Sequence, residues 1–136
     1  MEYFGFTLLI SSADDVPVAI SHLKLSLTDL LTPDVQIAHW HKDNVGFKEI
    51  GPHYPDEVWF DAIPCENKNW DKIYQALHAI CPQLQGKIAI EYQHPERLDD
   101  PYCMLVFDKN GISLGDDSKW EETLNIKIIE INYQLP

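Results

Sequence analysis

Two stretches of this chain carry the period of a helix, and the other apolar runs carry the pattern of strands. That order limits the folds open to it. Trp70, Ile73, Leu77 and Ile80 form an apolar stripe at spacings of three and four, with Asp71 in the first turn and Pro82 closing the segment. Val16, Ile20, Leu23, Leu27 and Leu30 repeat at four, three, four and three, up to Thr32-Pro33. Ser12 and Asp15 before this stretch resemble a capping box with Asp in the place of Glu, and Pro17 suits a first turn. Leu23, Leu25 and Leu27 also alternate, but the longer three-four pattern favours helix.

Around these two helices lie strand patterns. Tyr3 to Ile10 is aromatic and aliphatic. Val35 to His41, Glu57 to Ile63 and Lys87 to Tyr92 alternate, and Tyr102 to Phe107 is almost continuously apolar. Phe47 to Ile50 reads as a short return strand. Asn110-Gly111 tolerates positive φ, so residues 108–111 read as a hairpin turn leading to a strand over 112–114. Leu124 to Tyr133 is β-rich, and Ile128-Ile129 breaks its alternation as a bulge would. Helices interrupt the strands without alternating with them. The expected fold is therefore α+β: a mostly antiparallel sheet of six to eight strands with two main helices packed on one face. A length of 136 residues predicts one domain over residues 1–136, large enough for a core without staples.

Charge limits the partners. The chain holds 22 Asp and Glu against 10 Lys and Arg, a formal net charge of −12. Such a field repels nucleic acid and anionic membrane and attracts basic surfaces. Apolar residues make up 45%, too many for a disordered acidic tail. The N-terminus lacks the basic region of a signal peptide, and no apolar run approaches the roughly 20 residues that span a bilayer. Cys65, Cys81 and Cys103 form no C-x-x-C pair, which fits a reducing cytoplasm and argues against a zinc knuckle.

Few residue groups could carry a reaction. On a strand, His39 and His41 project to one face, and Asp43 or His53 could complete a metal site. The bland alternative is a pair of surface histidines with Trp40 turned into the core. Cys81 lies three residues after His78, but a thiol nucleophile needs an electropositive setting that this chain does not offer. Adjacent carboxylates such as Asp99-Asp100 point apart, and no phosphate-cradling or nucleophile-elbow motif is present. The expectation is no cofactor and no catalysis.

Acidic and aromatic residues interleave in two segments. Tyr54, Asp56, Glu57, Trp59 and Asp61 form one; Asp116, Asp117, Trp120, Glu121 and Glu122 form the other. Carboxylates beside exposed rings suit the capture of Arg and Lys, the charges steering and the rings anchoring. Equally, Trp59 and Trp120 could be core residues with the acids merely outside. The expected partner-binding set is Asp56, Glu57, Trp59, Asp61, Asp116, Asp117, Trp120 and Glu121. In size and in these acidic pairs the whole chain resembles bacterial toxin-immunity proteins of the polymorphic-toxin and contact-dependent-inhibition kind. That resemblance implies a cytoplasmic protein that binds a basic toxin domain, often a nuclease, and occludes its cleft. Two other readings stay open: a small metal-dependent enzyme built on His39, His41 and His53, and a nucleic-acid mimic that inhibits a DNA-binding enzyme.

Overall fold

The computed structural model describes residues 3–41, 53–64, 69–93, 101–123 and 125–136. The expected strand over 47–50, together with Asp43 and Cys65, lies outside them. The elements are β1 (Tyr3–Ile10), α1 (Asp15–Ser26), β2 (Gln36–His41), β3 (Asp56–Pro64), α2 (Asn69–Ile80), a 3-10 turn over Cys81–Gln83, β4 (Ile88–Glu91), β5 (Cys103–Asp108), β6 (Gly111–Asp116), a short α3 (Trp120–Thr123) and β7 (Lys127–Glu130). Among the described residues seven strands form one open sheet in the order β2-β3-β1-β4-β5-β6-β7. Every pairing is antiparallel. The fold is α+β, with an antiparallel sheet and two main helices.

Alternation along each strand divides the sheet into two faces. Phe6, Leu8 and Ile10 of β1, Val58 and Phe60 of β3, Ile88 and Ile90 of β4, and Leu105 and Phe107 of β5 point to the helix side and are buried. Val16, Ala19 and Leu23 of α1 and Ile73, Leu77 and Ile80 of α2 close over them in the main core. The expected helix face of residues 16–30 is only partly helical. α1 stops at Ser26, and Leu27 leaves helical geometry with φ −116° and ψ 46°. Leu27 and Leu30 still reach the core, because the amides of Leu30 and Leu31 turn back onto the Leu27 carbonyl. The competing alternation is resolved by Leu25, which faces solvent.

The capping box does not form. Asp14 occupies the N-cap without a side-chain hydrogen bond. The Asp15 carboxylate is fully buried and accepts the backbone amides of Gln85 and Gly86, both at 2.8 Å. Asp15 thus fastens the start of α1 to the loop that leads into β4. Gly86 is required there: a Cβ would stand 2.4 Å from Ser11 Oγ. The β5–β6 hairpin turns through Lys109-Asn110, with Asp108 opposite Gly111 and Gly111 at φ +124°. Asp108 accepts the Asn110 amide and tightens the turn. The bulge read at Ile128-Ile129 is present, since Leu114 pairs with Glu130 but Gly115 with Ile128.

The other face of the sheet is covered over only half its width. Tyr54, Ala89, Met104, Val106 and Ile126 make a second, smaller core, with Trp120 and Ile128 packed on it. Trp120 lies against Tyr54, ring centroids 6.0 Å apart. Among the described residues that cover extends over β4 to β7 and reaches Leu9 of β1, and it leaves β2, β3 and the rest of β1 open on this side. Among the described residues no helix is long and apolar enough to cross a membrane.

Candidate functional site

The open half of the sheet carries the most distinctive surface. In β3 the side chains of Glu57, Trp59 and Asp61 point away from the helices, the opposite way from Val58 and Phe60. Pairing sets Ala38 of β2 opposite Trp59, Trp40 opposite Glu57, and Thr7 of β1 opposite Trp59 on the other side. Trp59 is 48% exposed and Trp40 59%. Large rings left this open on a flat strand surface are characteristic of interaction sites more than of cores. The Trp59 indole N–H donates to Glu57 Oε2 at 3.2 Å, which orients the ring on the strand.

Beside Trp59 runs a groove of about 440 Å³. Gly5, Thr7 and Leu9 form its floor, Trp59 and Asp61 one wall, and Glu91, Met104 and Asp117 the other. Three carboxylates therefore face one apolar trough, and among the described residues none of its lining side chains is basic. Gly5 keeps the floor low. The register of β1 on β3 shifts between Phe4 and Phe6, and a Cβ on Gly5 would sit 2.9 Å from the Phe60 carbonyl oxygen and 3.1 Å from Asp61 Oδ1.

The structure sorts the residues expected from sequence. Trp59, Asp61 and Asp117 meet in the groove although 56 positions separate the last two in the chain. Glu57 stands next to them as the partner of the Trp59 indole. Asp56 does not belong to this face. It is 1% exposed and points to the helix side, because one residue along a strand reverses the direction of the side chain. Tyr54 is buried in the second core, where burial and the charge of Asp108 push its hydroxyl up to about 12. Trp120 is half-buried on that core and Glu121 is exposed on α3. Asp116 is engaged in its own turn: the side chain and amide of Ser118 bond its carboxyl and hold it below the ordinary range, with help from the Lys127 charge. Glu91 and Met104 were not legible as site residues. They come from β4 and β5, and only the strand order brings them beside β3 by way of β1.

A second polar cluster lies on the helix side at the end of β2. Asp56 Oδ1 accepts hydrogen bonds from His39 Nε2 at 2.7 Å and from His41 Nδ1 at 2.9 Å. The two imidazoles share one strand face as read from sequence, and the pairing of His41 with Asp56 brings the carboxylate to them. Trp40 between them points to the open face, not into the core. His53 is exposed. Among the described residues no group of three or more His, Cys, Asp and Glu is spaced to hold a metal ion as it stands. Burial opposes ionisation of Asp56, but the hydrogen bonds and charges of the two imidazoles outweigh it and hold its carboxyl below the ordinary carboxylate range. A lowered folded value contributes stability that is complete above the unfolded value near ~4 and is lost as pH falls through the folded one. Asp56→Asn should therefore cost more stability at pH 6 than at pH 3 in urea denaturation. An equal cost at both would show that the carboxylate charge is not used.

Two of the three cysteines lie among the described residues. Cys81 and Cys103 are buried and unbridged. The Cys81 thiol faces the Leu77 and Gly111 carbonyls, and burial together with the Asp108 charge pushes it up to about 11. A thiol so placed is the wrong way from reactivity. No protein-family model, curated protein or solved structure matches the chain.

Proposed function

We propose that this protein is a binding protein that neutralises a basic protein partner, in the manner of an immunity protein that occludes the active site of a toxin. The observation that carries the reading is the groove on the open half-sheet, where Trp59 and three carboxylates share the lining and, among the described residues, no basic side chain joins them. An Arg or Lys stem laid along Leu9 and Met104 would bury its methylenes there, with its charge among Asp61, Glu91 and Asp117 and its face against the indole. The net charge of −12 draws a cationic surface in from a distance, and the ring supplies the short-range contact that delays release. A toxin cleft shaped for phosphates presents such a surface. On this reading the protein works in the cytoplasm, needs no cofactor and runs no reaction.

The test uses as the probe a basic protein that co-purifies with this chain from its native host, with association and dissociation followed by surface plasmon resonance at low and high salt. Rim charges act mainly on encounter. The association rate should fall at least tenfold from about 0.05 to 0.5 M salt, as screening shortens the Debye length, while dissociation changes little. Association that ignores salt, or no association, would overturn the proposal.

A further inference from the structure

The cluster of His39, His41 and Asp56 takes no part in the groove and lies on the opposite face of the sheet. Its geometry is odd for a purely structural contact. Both imidazole nitrogens converge on one oxygen, Asp56 Oδ1, at 2.7 and 2.9 Å. The other oxygen, Oδ2, is buried and has no hydrogen-bond partner among the described residues. A carboxylate held for stability alone would take one donor on each oxygen, since a buried acceptor without a donor costs about 1–3 kcal/mol. Here two nitrogens and one oxygen are gathered at a single point.

We propose that His39 Nε2, His41 Nδ1 and the Asp56 carboxylate are the ligands of a divalent transition-metal ion of the zinc class, with water as the fourth donor. Two imidazoles and one carboxylate make a borderline donor set, which selects zinc, cobalt, nickel or copper over magnesium or calcium. In the metal-free protein, hydrogen bonds draw the nitrogens onto the oxygen and close the gap. Around a tetrahedral ion with bonds of about 2.0–2.2 Å, donor atoms stand roughly 3.4 Å apart. The side chains of His39 and His41 are 41% and 50% exposed, on the solvent side of the cluster, whereas Asp56 is buried and fixed. Each ring gives up the proton on its ligating nitrogen as the ion enters, to its own second nitrogen where that is bare and otherwise to solvent, so the exchange is balanced without a further reactant. His53, third in the set expected from sequence, is replaced by Asp56, which register places across from His41.

The experiment is titration of tag-free, chelator-treated protein with cobalt(II) and then zinc(II). One equivalent of cobalt should give the visible bands of tetrahedral coordination, and zinc should abolish them. His39→Gln and His41→Gln should each lower zinc affinity by well over 100-fold, beyond the roughly 10- to 100-fold that loss of a supporting contact costs. His53→Gln and His22→Gln should change it less than about threefold. Asp56→Asn perturbs a buried group, so the two exposed histidines carry the test, with circular dichroism confirming that each variant is folded. Absence of a saturable cobalt band, or zinc affinity retained in the His39→Gln/His41→Gln double variant, overturns the assignment. Neither outcome bears on the groove, whose residues are untouched.

Discussion

Trp59→Ala should weaken capture of the proposed basic partner by about 30-fold or more, corresponding to the ~2 kcal/mol that marks an anchoring residue. The indole projects from the middle of β3, half-exposed, over an apolar floor, and Glu57 holds its orientation. Its loss removes both the ring contact and the wall of the groove. Most of the effect should fall on dissociation, because the ring carries no charge that steers encounter. Asp61→Asn and Glu91→Gln should instead slow association severalfold and flatten its salt dependence. Glu121→Gln, on α3 away from the groove, serves as the control and should do little. Melting temperature should stay within a few degrees in all four, since each side chain is at least partly exposed and outside the main core. Equal effects from Glu121→Gln and Asp61→Asn would mean that net charge, not the groove, governs binding.

Asp15→Ala should be the most damaging single substitution of a polar residue, at about 3 kcal/mol. The carboxylate is fully buried and bonds two main-chain amides, those of Gln85 and Gly86. Alanine would leave both donors unmet and would release the start of α1 from the turn before β4. Urea denaturation measures the loss directly. In a domain of this size it corresponds to a fall in melting temperature of roughly 10 °C. Asp15→Asn restores one acceptor and should recover part of the loss. An alanine variant as stable as the parent would show that water replaces the carboxylate at no cost.

Individual elements differ in how far the sequence revealed them. The stripe of Trp70, Ile73, Leu77 and Ile80 announces α2, because a helix that packs on a sheet must present such a face. Asn110-Gly111 announces the hairpin, since the residue entering β6 sits at φ +124°. The break at Ile128-Ile129 announces the bulge. The three-four spacing overextends the first helix, because Leu27 and Leu30 continue it from a turn that also points into the core. Asp15 looked like part of a cap, and its role became visible only when the turn at Gly86 came against it from 71 residues away. Asp56 was grouped with Glu57 and Trp59 by proximity in the chain, although strand alternation sends it to the other face. The groove itself was half legible. Trp59, Asp61 and Asp117 were named, yet nothing local separates Glu91 from other exposed acids.

Local patterning alone determined the elements of this protein, the α+β class and the surplus of negative charge, because hydrophobic period and composition act over a few neighbouring residues. The tertiary structure decided which half of the sheet stays open, which carboxylates share a groove and which one is buried between two imidazoles. Those outcomes depend on strand order and register, and pairing between distant segments leaves no trace in the period of any one of them.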